Sequence, residues 1–247
     1  MSEYLIRKLE NYVRLSASDK RLLHEVVTRD VKSYGQRHDI VHEGDRPRSA
    51  NLILSGFATR YKILEDGRRQ IVAFMIPGDI CDLRMTVLRK RDHAMGALMP
   101  SKVAQLTDAD VQEILGHSAR LERALAWNSL VDEAISLEWT VNLGRRDALE
   151  RLAHLFCELH CRLRAVGLTT EGRCEVPLTQ TEIADTVGVS DVHVNRTLME
   201  LRGRGLITLQ GKSLTIHDMD RLRELAMFNP NYLHLGQEGR ELDATDF

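Results

Sequence analysis

The chain has 247 residues, which is enough for two modest domains that each bury a core of their own. Its charge is nearly balanced, with 34 Lys and Arg against 36 Asp and Glu, so no global basic field indicates nonspecific binding to nucleic acid. No apolar run approaches the length of a membrane span, and the N-terminus lacks the apolar core of a signal peptide. These features argue against a membrane or secreted protein, and we expect a cytoplasmic one.

The first part of the chain begins with a helical lead-in predicted for residues 4–28, after which the pattern of apolar residues changes. From Val31 to Leu106, short apolar runs alternate with turn signals such as Glu43-Gly44-Asp45 and Ile76-Pro77-Gly78-Asp79. Strand-length runs at this spacing are typical of an antiparallel sandwich or jelly roll. We therefore predict an N-terminal β-roll domain over residues 1–115.

A long helix is predicted to follow, because the apolar period becomes helical from Asp108 to about Leu143. Two apolar faces result, and either a dimer or burial within one monomer explains them. We favour a dimerisation helix over residues 116–143, because the apolar residues of one face recur at the alternating three- and four-residue steps of a coiled-coil seam. The predicted dimer seam consists of Trp127, Leu130, Ala134, Leu137 and Val141. The second apolar face consists of Leu121, Leu125, Val131 and Ile135.

The chain is predicted to break after this helix. Gly144 is the predicted hinge, and Asp147 is the predicted N-cap of an amphipathic helix that runs to about Val166. A C-terminal domain is predicted over residues 144–230, ending in a helix from Asp218 to about Met227. Residues 231–247 are predicted to form a disordered tail, because their last part is polar and acidic.

The most informative stretch is TQTEIADTVGVSDVHVNRTLMEL, which contains two helix starts separated by a short turn. Thr179 and Glu182 form a predicted capping box at the start of a first helix. This helix is predicted to stop at Gly188, which readily adopts the left-handed conformation of a tight exit. Ser190 is the predicted N-cap of a second helix. The arrangement is a helix-turn-helix, whose second helix commonly lies in the DNA major groove.

The residues after this motif predict a wing. The segment from Gly205 to His217 alternates apolar and polar residues across a Gln210-Gly211 turn, which is the pattern of a two-stranded hairpin. Two capped helices around a glycine also occur in proteins that do not bind DNA, and the hairpin favours the DNA-binding interpretation. Double-stranded DNA is the predicted partner and transcription regulation the predicted function. A local basic patch supports this interpretation, formed by Arg196, Arg202, Arg204 and Lys212.

The chain resembles the Crp–Fnr superfamily of bacterial regulators over about residues 20–230. The resemblance is carried by Ile40-Val-His-Glu-Gly-Asp45 with Leu52-Ile-Leu-Ser-Gly56, by Ile76-Pro-Gly-Asp79, and by the run from Leu178 to Thr208. It implies an α+β fold with an N-terminal antiparallel, jelly-roll-like β-roll of the cyclic-nucleotide-binding type, a long dimerisation helix and a C-terminal winged helix-turn-helix. It also implies a homodimer on a near-palindromic operator, with RNA polymerase as a partner if the protein is an activator.

The resemblance also assigns residues that contact DNA. Arg196 matches an arginine of well-known members and can bind a guanine or a phosphate. Asp191-Val192 stand where those members carry an acidic base reader, so we expect a different operator; Asn195 can pair with adenine, and Val192 can contact a thymine methyl group. The base-reading positions are occupied by Asp191, Val192, Asn195, Arg196 and Met199. The backbone-contacting positions are occupied by Thr179, Gln180, Ser190, His193 and Lys212.

A ligand pocket in the β-roll is implied as well, but its residues argue against a cyclic nucleotide. Gly78 and Asp79 stand at the ribose-clasping pair, Arg91 and Asp92 at the phosphate-clasping pair, and Ser136 at a helix position that can reach the ligand's base. Asp92 would place a carboxylate where a phosphate binds, and like charges repel in a semi-buried pocket. We therefore predict a regulator that acts without cyclic AMP and without a cofactor. The alternative is a regulator gated by a cyclic nucleotide or another small ligand.

Metal and redox sites receive less support. No cysteine precedes Cys81, which excludes the N-terminal iron–sulfur cluster of the family's oxygen sensors, and no histidine lies beside Cys81 to bind haem. His154 and Cys161 are seven residues apart, roughly 10 Å along a helix, so one ion cannot be bound by both. Core packing is the better interpretation of this pair and of Cys157 between them, although a thiol sensor stays open. We predict no disulfide among Cys81, Cys157, Cys161 and Cys174.

An enzyme is the alternative from a different class. His38, His42 and Glu43 in a β-roll suggest a cupin-like metalloenzyme, but their spacing differs from a cupin metal site. No nucleophile elbow, phosphate-binding loop or paired carboxylates point to another reaction. We therefore predict that the protein is not an enzyme.

Overall fold

The computed structural model describes residues 2–83 and 87–236, and these form two compact units. One unit consists of residues 2–62, 73–83, 87–133 and 234–236, and the other of residues 63–72 and 134–233. The predicted domain boundaries at residues 115, 143 and 230 stay a prediction, and the division at residues 133 and 134 falls within one long helix. Among the described residues, no helix is both long enough and apolar enough to cross a membrane.

Two helices, α1 (Glu3–Leu9) and α2 (Ala17–Val26), form the helical lead-in predicted for residues 4–28. A capping box separates them: Ser16 Oγ accepts a hydrogen bond from Asp19 N, and the Asp19 carboxylate accepts one from Ser16 N. A new helix begins there because both backbone donors are satisfied locally. The apolar faces of the two helices are buried through Leu5, Leu9 and Leu23.

The predicted antiparallel β-roll is confirmed in the described part of the chain. Its strands are β1 (Val31–Tyr34), β2 (Asp39–Val41), β3 (Ser49–Ser55), β4 (Ala58–Ile63), β5 (Arg69–Met75), β6 (Ile80–Cys81), β7 (Ala94–Ala97) and β8 (Ser101–Thr107). One sheet has the order β1-β8-β3-β6 and the other the order β2-β7-β4-β5. Fully buried side chains from both sheets form the core, including Ile53 and Val103, which are register partners on β3 and β8, and Met95 on β7.

The helical stretch predicted from residue 108 to 143 is interrupted at Ser118. Helix α3 (Asp108–His117) ends there, because Ser118 has an extended backbone with φ −158° and ψ 150°. Helix α4 (Ala119–Arg145) follows, and Ser118 Oγ accepts a hydrogen bond from Leu121 N at 3.2 Å. Ser118 therefore acts as the cap of a second helix rather than as a residue within one long helix.

Helix α5 (Ala148–Ala165) begins at its predicted N-cap. Asp147 Oδ1 accepts hydrogen bonds from Leu149 N and Glu150 N, each at 2.9 Å. Gly144 lies inside α4, and the chain leaves α4 after Arg145, within the interruption predicted for residues 143–147. The cap at Asp147 decides where the new helix starts. A hinge motion at Gly144 stays a prediction.

The rest of the second unit contains the predicted helix-turn-helix and wing. Its helices are α6 (Gln180–Val187), α7 (Asp191–Gly203) and α8 (Met219–Ala226). Its strands are β9 (Thr169–Thr170), β10 (Arg173–Glu175), β11 (Ile207–Gln210) and β12 (Ser213–Ile216), in the order β11-β12-β10-β9. Strands β9 and β10 are absent from the sequence prediction, although Glu171-Gly172 between them is a turn signal.

A short 3₁₀ turn, Pro230–Leu233, lies within the predicted disordered tail. Tyr232 and Leu233 are buried, and the Tyr232 hydroxyl donates a hydrogen bond to Glu158 Oε2 at 2.9 Å. The prediction of disorder is therefore wrong for residues 231–233, because these side chains find buried partners. Residues 237–247 of the predicted tail lie outside the described residues.

Glu158 is a buried carboxylate that joins three parts of the second unit. It accepts hydrogen bonds from Trp139 Nε1 at 3.0 and 3.1 Å, from Tyr232 and from Arg162 Nη1 at 3.2 Å. Burial raises the pKa of Glu158, and Arg162, Tyr232 and Trp139 oppose this shift. Since every partner donates, the site suits an acceptor-only carboxylate. Helix α4, helix α5 and the 3₁₀ turn are thus connected through one side chain.

His154 gives the second unit a specific sensitivity to acid. Its ring is buried, with centroids 5.0 Å from Phe228 and 6.1 Å from Tyr232. Burial, with a further contribution from the charge of Arg146, lowers the pKa of His154 from 6.5 to about 3. The unfolded chain therefore takes up a proton here near pH 6.5, whereas the folded chain does not. Stability present above this pH is lost as the pH falls towards 3.

We expect His154→Phe to make the free energy of unfolding less dependent on pH, by about 1.4 kcal/mol per pH unit at most. Urea unfolding at about pH 7.5, 6 and 5 measures this slope. His42→Phe is the control, because it makes the same substitution at a side chain that is 67% exposed. Equal slopes for His154→Phe and the wild type would contradict the effect assigned to burial.

Candidate nucleic-acid interface

The two helix starts of the helix-turn-helix have the predicted geometry. Thr179 Oγ1 accepts a hydrogen bond from Glu182 N at 3.2 Å, and Glu182 Oε2 accepts one from Thr179 N at 2.7 Å. Gly188 ends α6 with a φ of +71°, which side chains disfavour. Ser190 Oγ then accepts a hydrogen bond from His193 N at 3.3 Å. Local hydrogen bonds and one glycine therefore set the direction in which α7 leaves the turn.

Helix α7 has one buried and one exposed face. The buried face consists of Val194, Thr197, Leu198 and Leu201. On the other face, Val192 is 82% exposed and Met199 is 64% exposed, although both are apolar. Such exposure is expected for side chains that contact base edges, such as a thymine methyl group. All five predicted base readers lie on this exposed face, namely Asp191, Val192, Asn195, Arg196 and Met199.

Two of these residues already contact neighbouring side chains. Thr181 Oγ1 donates a hydrogen bond to Asp191 Oδ2 at 3.0 Å, which links the second residue of α6 to the first residue of α7. Arg196 Nη2 lies 3.3 Å from His193 Nε2. Sequence reasoning did not identify Thr181, because only the turn geometry brings it beside Asp191. Its hydroxyl restrains the one acidic group among the predicted base readers.

The wing forms as predicted. Strands β11 and β12 pair in antiparallel register, and Gly211 at the tip has a φ of +60°. Lys212 is exposed beside it, and its carbonyl oxygen accepts a hydrogen bond from Val176 N at 2.7 Å. This bond fixes the wing tip against the segment that leads into α6.

The predicted basic patch is smaller than its residue types suggest. Arg202 Nη2 donates a hydrogen bond to Leu209 O at 2.8 Å, so Arg202 braces α7 against the wing. Arg204 forms an ion pair with Glu200 one helical turn earlier, which offsets its charge. Arg196 and Lys212 are the better candidates for direct contact with DNA.

The predicted backbone-contacting residues cluster at the two helix starts and the wing tip. Thr179, Gln180, Ser190 and Lys212 are exposed, and His193 is half-buried. The hydroxyls of Thr179 and Ser190 are already used as helix caps. The N–H groups at these helix starts and the Lys212 ammonium are the groups that suit a phosphate.

A second polar site lies in the β-roll, where basic side chains surround one carboxylate. The Asp82 side chain is 2% exposed, and its backbone is left-handed with a φ of 65°. Arg91 Nη1 forms an ion pair with Asp82 Oδ2. Arg60 Nη2 and His93 Nε2 each lie 3.2 Å from Asp82 Oδ1. Burial acts to raise the pKa of Asp82, but these basic neighbours outweigh it and hold the pKa below its ordinary value.

The adjacent turn contains a buried ion pair. Lys8 Nζ lies 2.7 Å from Asp79 Oδ1, and the two side chains are 11% and 3% exposed. Asp79 Oδ2 also accepts a hydrogen bond from Ile76 N at 2.8 Å. Gly78 has a φ of +96°, and a Cβ atom there would lie 2.7 Å from Tyr4 O. Helix α1 therefore packs with its main chain directly against the turn at residues 76–79.

Helix α4 presents an apolar stripe that the described residues leave exposed. Leu130, Leu137 and Val141 are 57%, 64% and 47% exposed, and Ala134 between them is half-buried. Trp127 was included in the predicted seam, but it stacks on Tyr12 with ring centroids 6.0 Å apart and also contacts His234. It therefore packs within the monomer. The second apolar face is buried through Leu121, Leu125, Val131 and Ile135.

Both parts of the chain match known families. The family model for a cyclic nucleotide-binding domain matches residues 31–118, and that for a Crp-like helix-turn-helix domain matches residues 150–225. Transcriptional activator protein FnrL of Cereibacter sphaeroides is 28% identical over 201 residues, which cover 79% of each protein. Nitrogen fixation regulation protein FixK of Bradyrhizobium diazoefficiens is 28% identical over 187 residues, 76% of this chain and 78% of FixK.

A solved structure agrees with these matches. FixK2 from Bradyrhizobium japonicum has a TM-score of 0.70 at 25% identity, and the match covers 79% of this chain and 96% of that chain. The chain belongs to the Crp–Fnr family. It is a DNA-binding transcription regulator.

In this Crp–Fnr regulator the predicted pocket residues do not form one open site. Gly78, Asp79 and Arg91 are buried, with Asp79 bound to Lys8 and Arg91 bound to Asp82. Asp92 is 73% exposed and contacts His93 Nδ1 at 2.7 Å, so the prediction that its carboxylate enters the pocket is wrong. The carboxylate beside Arg91 belongs to Asp82 instead. Ser136 is exposed on α4.

The cysteines of this Crp–Fnr regulator are buried thiols. Cys81, Cys157, Cys161 and Cys174 are all free and buried. Burial raises the pKa of Cys81, Cys157 and Cys174 to about 12, so these thiols stay protonated and weakly reactive at neutral pH. This placement favours core packing over a thiol sensor.

Candidate metal ligands do not assemble in the described part of the chain. There, no group of three or more His, Cys, Asp or Glu side chains is arranged to bind a metal ion. His154, Cys157 and Cys161 lie in the core of the second unit, in agreement with the packing interpretation. His38, His42 and Glu43 are exposed, and His42 contacts Asp39.

We expect Arg196→Ala to weaken operator binding by about 1–3 kcal/mol and to relax specificity at one base pair, because a bidentate guanine contact is lost. Binding to the operator and to each single-base variant, at fixed salt, measures both effects. Arg204→Ala removes a guanidinium that is paired with Glu200, and should cost less. A uniform loss across all sequences, with a shallower dependence on salt, would instead assign Arg196 to a phosphate.

Proposed function

We propose that this regulator acts in the cytoplasm as a homodimer on a near-palindromic operator, and that it does so without a cyclic nucleotide. The observation that carries the second part is the internal neutralisation of the β-roll's polar groups. Asp82 lies within the cluster of Arg60, Arg91 and His93, and Lys8 is bound to Asp79.

The charges of this site disfavour a cyclic nucleotide. A nucleotide phosphate would need the guanidinium of Arg91, which is already paired with a buried carboxylate. Adding a second anion beside Asp82 brings like charges together where little water screens them. Displacing Asp82 would instead require a new partner for its carboxylate. Either route costs binding energy that the ligand would have to supply.

The exposed stripe of α4 supports the homodimer. Leu130 and Leu137 are seven residues apart and Val141 is four further on, which keeps the three on one face of a helix. Large apolar side chains in a contiguous row are expected to be covered by a partner. A twin helix in a symmetric dimer covers both stripes at once and places two recognition helices about 34 Å apart, one turn of DNA.

The recognition helix suggests an operator of its own. Val192 suits a thymine methyl group, Asn195 suits an adenine and Arg196 suits a guanine. Asp191 accepts a hydrogen bond from Thr181, so we assign Asp191 to the positioning of α7 rather than to contact with a base. If the protein activates transcription, RNA polymerase is a further partner; repression requires only that the operator be occupied.

Selection of binding sites from random duplex DNA tests the proposal, at fixed salt and with or without cyclic AMP. A palindrome recovered equally in both conditions would support an effector-independent dimer. Enrichment only with cyclic AMP would overturn the effector-independent part. A single half-site with no partner half-site would overturn the dimer. Arg196→Ala, selected in parallel, identifies the base pair that this residue contacts.

A further inference from the structure

Lys8 lies between two carboxylates that belong to different elements. Its Nζ is 2.7 Å from Asp79 Oδ1 in the turn after β5 and 3.9 Å from Asp132 Oδ1 on α4. Burial acts to lower the pKa of Lys8, but the two carboxylates outweigh burial and raise the pKa above its ordinary value. The ammonium group therefore stays charged and interacts with both carboxylates.

Helix α1 is seated firmly enough to hold this ammonium in place. Leu5 and Leu9 are 1% and 0% exposed on the same helix. Its main chain packs so closely on Gly78 that a Cβ atom there would overlap with Tyr4 O. Just after the helix, Tyr12 stacks on Trp127 of α4. The N-terminal segment thus contacts both the turn at residues 76–79 and the helix that bears the exposed stripe.

Removal of the ammonium would affect both carboxylates. Asp79 is 3% exposed and would become a buried charge without its cation, which is strongly unfavourable. Asp132 is 37% exposed, and Asn128 Nδ2 donates a hydrogen bond to its Oδ2 at 3.1 Å, so water and the amide still solvate it. The pair with Asp79 is therefore a local requirement of the fold, whereas the contact with Asp132 reaches α4.

We infer that helix α1 is a built-in effector, in which Lys8 binds the β-roll turn and α4 together and so holds α4 in the arrangement that dimerises. The turn at Gly78-Asp79 is the binding surface, and its occupant is this chain's own N-terminal helix. The inference rests on the proposed homodimer and deepens it. The Lys8 ammonium connects the β-roll turn to α4, and a small molecule is not needed for this connection.

A purely local role for Lys8 leads to a different expectation. If Lys8 only neutralised Asp79, dimer affinity would follow the stability of the fold. If Lys8 also positions α4, the two quantities separate in variants that repair the local charge and leave Asp132 without the ammonium.

The test uses full-length Lys8→Met, Lys8→Met/Asp79→Asn and Asp132→Asn, with thermal unfolding, sedimentation equilibrium and operator binding as readouts. Lys20→Met is the control, because Lys20 forms a more exposed ion pair with Glu10 on the neighbouring segment. We expect Lys8→Met to lower both the unfolding midpoint and dimer affinity. With midpoints measured at a dilution where the protein is monomeric, so that they do not depend on dimer affinity, the double variant should regain the midpoint and keep a dimer dissociation constant raised about tenfold. Under the same conditions Asp132→Asn should raise this constant without moving the midpoint.

Wild-type dimer affinity in both the double variant and Asp132→Asn would overturn the inference and leave the homodimer intact. A wild type that binds its operator only as a monomer would overturn the proposed homodimer and the inference with it. The behaviour of the wild type therefore separates the two failures.

Discussion

Asp82→Ala is expected to lower the free energy of unfolding by about 3–5 kcal/mol, because it leaves buried cations without their carboxylate. Arg91, whose side chain is 3% exposed, forms the ion pair with Asp82, and Arg60 and His93 each lie 3.2 Å from its Oδ1. A truncated side chain cannot replace these contacts, and the freed guanidinium of Arg91 has little access to water. Urea unfolding at neutral pH measures the loss.

Asp92→Ala is the matched control for this substitution. It removes the same side chain next to the same histidine, but Asp92 is 73% exposed, and the change should stay within about 0.5 kcal/mol. A loss below about 1 kcal/mol in Asp82→Ala would contradict the buried ionic cluster. It would also remove the main support for a β-roll that is internally neutralised.

Leu137→Asp is expected to abolish operator binding at concentrations that saturate the wild type. Leu137 is 64% exposed in the monomer, so a charge is tolerated there before dimerisation. In the proposed dimer, two symmetry-related carboxylates would be buried in an apolar seam without cations, which raises the dimer dissociation constant by about 100-fold or more. Binding of two half-sites by one dimer is lost with the dimer, so operator affinity falls as well.

Sedimentation velocity and operator binding test this prediction together. Leu64→Asp is the control, because it is the same substitution at a side chain that is 52% exposed on the loop after β4. It should remain dimeric and bind the operator. A dimeric Leu137→Asp protein would show that the exposed stripe of α4 is not the dimer seam.

The helix-turn-helix could be predicted because its determinants act over a few residues. Thr179 bonds with a residue three positions away, Gly188 supplies its own backbone freedom, and Ser190 caps the helix that follows it. Such local signals can be recognised in the sequence without knowledge of the rest of the fold. The winged hairpin is similar, since its alternating pattern and its turn lie within one short segment.

The polar sites of the β-roll could not be predicted in the same way. Lys8 and Asp79 are 71 residues apart, and nothing near Lys8 in the sequence indicates a buried ammonium. Asp82 is oriented by a left-handed backbone, which is uncommon outside glycine although Asp tolerates it better than most residues, and counting along the sequence placed Asp92 beside Arg91 instead. Long-range packing, and not local preference, decides which acid faces Arg91.

Helix α4 shows a further limit of periodicity. The pattern revealed two apolar faces and gave no way to rank them, because a core and a partner helix select the same residue types. The structure buries the face with Leu121 and Leu125, and Trp127 contacts Tyr12 and His234 of the same chain. The break at Ser118 was also missed, since a serine inside an apolar period is a weak signal on its own.

The positions of the tryptophans provide the protein with two intrinsic optical reporters. The chain has two tryptophans; Trp127 stacks on Tyr12 in the first unit, and the Trp139 indole donates to the buried Glu158 in the second. Trp139→Phe would leave only the emission of the first unit, and Trp127→Phe only that of the second. Comparing the two unfolding curves shows, without an added dye, whether the two units melt in one transition or in two.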